Sequence, residues 1–177
     1  MLQPVRPRGG SWLAVGLALG TLAGLLLGLV WPSPALHGVA TDRYENFAIA
    51  TGPLDGEVEA VYFLDFLTGD LKAAVLNINN GKFTAFFTYN ILQDLGVDPA
   101  KNPRFLMVTG VADLRRIGGS NVQPSASVVY VAELTTGRVA AYAVPWNPAL
   151  HKQGAAFQAQ LVPLDVTQFR TAVVRDQ

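Results

Sequence analysis

The chain has 177 residues, no cysteine, and 13 basic residues against 13 acidic ones, so its formal net charge is zero. The lack of cysteine excludes disulfides, thiol nucleophiles and iron–sulfur clusters, and the lack of a basic stripe argues against a nucleic-acid partner. Apolar residues make up 50% of the chain and concentrate in one block near its start. We therefore expect a single globular domain with one apolar appendage.

The first predicted element is a transmembrane helix over residues 12–31. Residues 13–30 include no charged side chain and as a helix would span about 27 Å, close to one hydrocarbon core. Trp12 and Trp31 bracket the block, where indole rings favour the two membrane interfaces. Both ends of the span are therefore marked.

The distribution of basic residues predicts the orientation of this helix. Arg6 and Arg8 precede the span, and the next basic side chain is Arg43, so the positive-inside rule puts residues 1–11 in the cytoplasm. We expect a single-pass inner-membrane protein whose C-terminal domain is periplasmic. The alternative is a signal peptide that is cleaved near Ala40, which releases the domain.

Gly16, Gly20, Gly24 and Gly28 recur every fourth residue and form a stripe along the helix. Such stripes let membrane helices approach closely. The stripe predicts a helix–helix contact, either with a second copy of the chain or with another membrane-protein subunit.

Residues 32–46 are rich in proline, alanine and glycine and predict a linker, after which residues 47–165 form a duplicated domain. Phe47–Gly52 is repeated as Phe105–Gly110, and Val61–Gly69 as Val129–Gly137. The spacing between the blocks is ten residues longer in the second copy, which indicates a loop insertion within residues 113–127.

The domain is predicted to be mainly β, with four antiparallel strands in each copy and one short helix between the copies. The predicted strands are residues 47–50, 60–65, 71–76 and 83–89, then 105–108, 127–133, 138–144 and 157–163. Asn80 and Gly81 predict a type I′ hairpin turn. Asn90 to Leu95, followed by Gly96, predicts the helix with an asparagine cap and a glycine stop. Residues 166–177 are left as a tail.

The repeated pattern Val-Tyr-x-x-Asp/Glu-x-x-Thr-Gly resembles the blade repeats of bacterial β-propellers of the quinoprotein-like and YVTN types. The resemblance implies two blade-like meanders, covers two short stretches, and lacks the tryptophan that closes many quinoprotein blades. No quinone or other cofactor is therefore carried over. Because a propeller needs about four to eight blades, two cannot close one.

Two strands are apolar at successive positions, over residues 61–64 and 128–132. Alternation is the pattern of a strand with one solvated face, so both faces of these strands are expected to need cover. This pattern predicts a homo-oligomer.

The chemistry-bearing side chains favour a non-catalytic protein. The two histidines, His37 and His151, are expected in exposed segments and cannot form a zinc site or a triad. Asp65 and Glu133 occupy equivalent repeat positions. We expect each to bind the turn that follows it, although a carboxylate pair of this kind also occurs in glycoside hydrolases.

Tyr142 and Trp146 are expected to be exposed aromatics that contact a ligand or partner. For Trp146 the alternative, a plug at the end of the sheet, is favoured.

The leading functional expectation is a membrane-anchored assembly or binding module that belongs to an envelope complex. One alternative is an oligomeric, propeller-like binder of carbohydrate or peptide. A further alternative is a two-carboxylate hydrolase.

Overall fold

A computed structural model describes residues 10–30, 41–112, 114 and 123–170. Within residues 10–30, it describes the side chains of residues 12 and 14–25. The chain separates into two units, Met1–Leu36 and His37–Gln177. In the first unit, helix α1 spans Gly10–Val30, and its described side chains are exposed. Among the residues described, no helix is both long enough and apolar enough to cross a membrane.

The second unit is mainly β, as predicted, and contains two sheets. The first sheet has six strands in the spatial order β1-β2-β3-β4-β5-β9, and the second has four in the order β10-β8-β7-β6. The strands are β1 (Thr41–Arg43), β2 (Phe47–Asp55), β3 (Val58–Asp65), β4 (Asp70–Asn77), β5 (Lys82–Asn90), β6 (Phe105–Val111), β7 (Gln123–Glu133), β8 (Arg138–Trp146), β9 (Phe157–Gln160) and β10 (Val162–Gln168).

The helices of this unit are short. They are α2 (Leu92–Leu95) and α3 (Pro148–Gln153), with a 3-10 turn at Pro99–Lys101. Helix α2 is the helix predicted between the copies: Gly96 ends it in the left-handed region at φ 63°, and the Asn90 side chain accepts a hydrogen bond from Leu92 N–H at 3.2 Å. Asn147 caps the N-terminus of helix α3, because its side chain accepts hydrogen bonds from two backbone N–H groups.

The sheets differ from the predicted pair of four-stranded repeats, because β2 to β5, the strands of the first repeat, lie within a six-stranded sheet. The four-stranded sheet consists of β6, β7, β8 and β10. The predicted fourth strand of the second repeat, residues 157–163, was wrong. Strand β9 leaves that repeat and pairs in parallel with β5, where Phe157 packs edge-on against Phe87 at 5.7 Å. This pairing covers the otherwise open edge of β5.

Strand β10 takes the fourth place instead and reaches into the predicted tail. The Asn90 amide donates to Thr68 O at 2.8 Å, and the Gln168 amide donates to Thr136 O at 3.3 Å at the equivalent point of the second repeat. Strand β1, which lies in the predicted linker, pairs with β2 at the other edge of the first sheet. The folded domain thus extends beyond residues 47–165 at both ends.

The hairpin at Asn80 and Gly81 is present, but its turn is not type I′. Only Gly81 has positive φ, at 67°, and its N–H donates to Asn77 O at 2.9 Å across a longer loop. The Asn80 side chain instead accepts from Lys82 N–H at 2.9 Å, an alternative that asparagine side chains offer the backbone.

The inner faces of both sheets meet in one hydrophobic core. Direct contacts that join the repeats include the hydrogen bonds from Thr109 Oγ1 to Thr51 O and between Tyr62 Oη and Ser127 Oγ at 2.7 Å. They also include the ring pairs Phe66–Phe105 at 5.6 Å and Tyr89–Tyr142 at 5.3 Å. Burial raises the pKa of Tyr62 to about 12, while its hydrogen bonds to serine act in the opposite direction. The sheets therefore pack face to face around a core that both repeats supply.

The two repeats bury opposite faces of the same strand pattern. In the first repeat Tyr62 is buried and Phe63 is exposed, whereas in the second the equivalent Tyr130 is exposed and the equivalent Val131 is buried. The first strands are reversed in the same way, since the core contains Ala48 and Ala50 of β2 but Phe105 and Met107 of β6. A twofold axis between the repeats would bury the same face of both. The repeats therefore pack front to back, which means that the face buried in the first repeat corresponds to the face exposed in the second.

Candidate functional site: outer sheet faces and a buried polar end

The glycine stripe of helix α1 is open. A Cβ added at Gly16, Gly20 or Gly24 would meet no atom of the described residues within 4 Å, which leaves room on this face for close approach by another helix. Gly28 is in the same helix, but its surroundings lie outside the described residues, as does Trp31. Trp12 is 82% exposed.

Asp65 and Glu133 each bind the turn that follows their strand, as predicted. Asp65 accepts from Leu67 N–H at 2.9 Å and more weakly from Thr68 N–H at 3.4 Å. Gly69 closes the turn at φ 71° by donating its N–H to Asp65 O at 2.9 Å.

Glu133 binds its turn more tightly. It accepts from Thr135 N–H at 2.8 Å and from both Thr136 N–H and the Thr136 hydroxyl at 2.7 Å. Burial alone would raise the pKa of Glu133, but these hydrogen bonds outweigh burial and hold the pKa below its ordinary value. The geometry accounts for both carboxylates as structural groups.

Tyr142 and Trp146 are both buried, so the expected exposure was wrong for Tyr142, whereas the burial of Trp146 agrees with the alternative favoured for it. Tyr142 is fully buried, and its hydroxyl donates to Asp94 of helix α2 at 3.0 Å. Burial, followed by the charge of Asp94, raises the pKa of Tyr142. Trp146 is buried at the end of β8, in keeping with a plug. Their side chains point inward because the second repeat packs through the face that carries them.

His151 was also expected to be exposed but is buried, with only 5% of its surface accessible. Its ring lies 5.0 Å from that of Trp146, and its backbone oxygen accepts from the buried Asn77 amide at 2.9 Å. Within the described part of the chain, both ring nitrogens of His151 and Trp146 Nε1 have no hydrogen-bond partner. Burial lowers the pKa of His151, so the imidazole is held neutral. His37 lies outside the described residues.

A cavity of about 350 Å³ opens beside Trp146, between the β2–β3 hairpin, the end of β6 and the start of β7. It is lined by Leu54, Asp55, Gly56, Val111, Ala112, Leu114, Gln123, Pro124, Ser125, Ala126, Trp146 and Pro148. The sequence offered little sign of this cavity, because its wall comes from four separate segments.

The outer face of the first sheet is apolar over several strands. Phe47 of β2 stacks on Phe63 of β3 at 5.2 Å, and a groove of about 400 Å³ runs beside Phe63 toward Phe86 on β5. Lys72 lies in this groove.

The outer face of the second sheet is also apolar. Leu106, Val108 and Tyr130 are exposed there, whereas Val128 and Ala143, at the end nearest the insertion, are buried. The domain therefore presents apolar surface on both outer faces, as the uninterrupted apolar strands predicted.

Comparison of the chain with protein-family models, curated proteins and solved structures returned no match. Across residues 10–30, 41–112, 114 and 123–170, no group of three or more histidine, aspartate or glutamate side chains has the arrangement of a metal site. The outer sheet faces and the cavity beside Trp146 are therefore interpreted from their geometry alone.

Proposed function

We propose that this chain is a membrane-anchored, exported module that works without catalysis, as a self-associating or accessory subunit of an envelope complex. The observation that carries the proposal is the exposure of apolar side chains on both outer faces of the domain. Monomeric soluble proteins rarely expose large contiguous apolar patches. A domain with two such faces is suited to standing between two neighbours.

The anchoring part of the proposal rests on the sequence, because no helix of the described residues qualifies as a membrane span. Its support is the uncharged segment at residues 13–30 between two tryptophans, with Arg6 and Arg8 before it. The open glycine stripe of α1 is compatible with a helix neighbour.

Fractionation tests the anchoring. The full chain should stay with the membrane after washing at high pH, and the β domain should become protease-sensitive only when the outer permeability barrier is opened. Mass measurement of the mature N-terminus distinguishes a retained anchor from cleavage near Ala40. Recovery of the intact chain in the soluble cytoplasmic fraction would refute both versions.

Purification from the native membrane tests the assembly role. We expect either several copies of this chain or a fixed set of other envelope subunits to be recovered at constant stoichiometry after mild detergent extraction. A chain that is recovered alone and monomeric would contradict the proposal.

A second candidate function is an oligomeric, propeller-like binder of carbohydrate or peptide. The cavity beside Trp146 favours it, since binding sites are concave and combine apolar walls with a few polar groups. Probing an array of glycans and short peptides with the full chain tests it. The variant Val111→Trp, which fills the cavity, is probed in parallel. A blank array would count against this candidate.

The hydrolase alternative has less support. Both Asp65 and Glu133 are engaged by the backbone N–H groups of their own turns, whereas a catalytic pair must face a common substrate.

A further inference from the structure

The two repeats meet at a glycine and a tyrosine of the first repeat. A Cβ on Gly52 would lie 3.3 Å from Tyr62 Cε2 and 3.1 Å from Ser127 Cβ, which belongs to the second repeat. The Tyr62 hydroxyl also shares a 2.7 Å hydrogen bond with Ser127 Oγ. The close approach of the second repeat therefore depends on the absence of a side chain at Gly52.

The second repeat carries the same pair, Gly110 and Tyr130, in the same geometry. A Cβ on Gly110 would also lie 3.3 Å from Cε2 of its tyrosine. Because the repeats pack front to back, this pair lies on the outer face, and Tyr130 is 37% exposed. Among the described residues, none takes at Gly110 the place that Ser127 takes at Gly52. Over the described residues, the Gly110–Tyr130 pair is thus an exposed counterpart of the pair that the first repeat uses, next to Val128, which is paired with Gly110 and already buried.

The matching surface is the outer face of the first repeat. Val129 and Val131 of the second repeat face the core, and their equivalents in the first repeat, Val61 and Phe63, line the open groove. The equivalent of Ser127 is Glu59, which is exposed on β3. The groove face therefore corresponds, position by position, to the surface with which the second repeat contacts the first.

We propose that a second copy of this chain docks the outer face of its first repeat on the outer face of the second repeat, and that this contact repeats the packing already present inside the chain. Tyr130 would then donate its hydroxyl hydrogen to the Glu59 carboxylate of the next copy. This inference rests on the proposed assembly function and names its partner, a second copy of the chain.

The two faces carry few charges, and the outer face of the first repeat has both signs, since Lys72 and Glu59 share it. Lys72 lies in the groove of the first repeat, and Asp165 is paired with Ala141 on the outer side of the second. Val128 and Ala143 are already buried, so the docking surface is the remainder of the face, around Val108 and Tyr130.

The contact is head to tail, because it joins two different faces. Head-to-tail contacts close into rings when the rotation allows it. Each chain supplies two four-stranded units, and closed rings of such units contain about four to eight. The expected assembly therefore contains about two to four copies.

Disulfide trapping tests the contact directly, because the chain has no cysteine of its own. Glu59→Cys and Gly110→Cys are made in separate full-length chains and mixed in mild detergent under oxidising conditions. Since the equivalent internal positions approach closely enough for a disulfide, the mixture should give a covalent dimer that neither variant gives alone. Glu57→Cys, at the tip of the β2–β3 hairpin, replaces Glu59→Cys as the control and should not cross-link.

A second measurement is independent of cross-linking. Val108 is 52% exposed on the docking face, and Val108→Arg places a charge there without a partner. The native mass of this variant is measured over a dilution series in mild detergent. Its dissociation constant should be at least about tenfold higher than that of the unmodified chain. Leu150→Arg, on helix α3 and 41% exposed, should change it by less than about twofold.

The outcomes separate this inference from the proposed function. A stable oligomer that neither cross-links nor responds to Val108→Arg would mean association through α1 or another surface, which keeps the assembly function and overturns the inference. A monomer at all concentrations overturns the inference, and recovery of fixed envelope partners with that monomer would still support an accessory subunit. A specific cross-link together with the Val108 effect supports the inference.

Discussion

Replacing one glycine in each repeat by alanine separates the buried repeat contact from its exposed copy. Gly52 and Gly110 occupy equivalent strand positions, and a Cβ at either would meet its tyrosine ring at 3.3 Å. Neither has positive φ, so both variants should gain about 0.5–1 kcal/mol from reduced freedom of the unfolded chain. That gain cancels when the two are compared.

The difference between them comes from Ser127. In Gly52→Ala the new Cβ would lie 3.1 Å from Ser127 Cβ and 3.2 Å from its Oγ. Both Ser127 and Tyr62 are fully buried there. Overpacking of this kind costs about 1–3 kcal/mol. In Gly110→Ala the exposed Tyr130 ring can move aside. We therefore expect Gly52→Ala to be less stable than Gly110→Ala by about 1–3 kcal/mol, or about 3–10 °C in Tm.

The assay is urea unfolding of the full chain in mild detergent. The transition is monitored by far-UV circular dichroism at dilutions where both variants are monomeric. Association must be excluded, because Gly110 belongs to the proposed docking face. Equal stabilities of the two variants would refute the front-to-back packing of the repeats at Gly52 and Ser127.

Three further predictions use the same unfolding assay. The pKa of His151 is lowered from 6.5 by burial, so the unfolded chain binds the proton more readily and stability should fall as the pH drops below about 6.5. His151→Phe should reduce that fall. An unchanged acid profile in this variant would contradict the burial of a neutral imidazole. Tyr62→Phe removes the hydrogen bond to Ser127 and should cost about 0.5–1.5 kcal/mol, with Tyr44→Phe, whose tyrosine is exposed, as a control near zero. Glu133→Ala breaks three hydrogen bonds of a buried carboxylate and should cost about 2–3 kcal/mol, against about 0.5–1 for Asp65→Ala in its exposed turn. Because the pKa of Glu133 is lowered, its contribution should be present above about pH 4.5 and be lost as the pH falls below that value. Equal costs for Glu133→Ala and Asp65→Ala would show that burial does not distinguish the turns.

Local signals predicted the two carboxylate-bound turns and the short helix, because the interactions that form them lie within a few residues, but they did not predict the type of the turn at Asn80 and Gly81. The acid, threonine and glycine of each turn bind one another's backbone groups, and Gly96 ends α2 through its left-handed conformation. The exchange of β9 for β10 was not predictable in this way. Both segments are suited to a strand, and the choice depends on the open edge of β5, about 70 residues earlier in the chain.

The sequence by itself determined the duplication, seven of the eight predicted strands, the carboxylate-bound turns and the excess of apolar side chains on both strand faces. Only the tertiary structure decided which face each repeat buries. Side chains alternate with a period of two along a strand, and when both sets are apolar either set can pack. The first repeat buries Tyr62 and the second buries Val131, so Tyr142 and Trp146 turn inward while Tyr130 remains outside. That choice depends on how two sheets meet, which no single strand encodes.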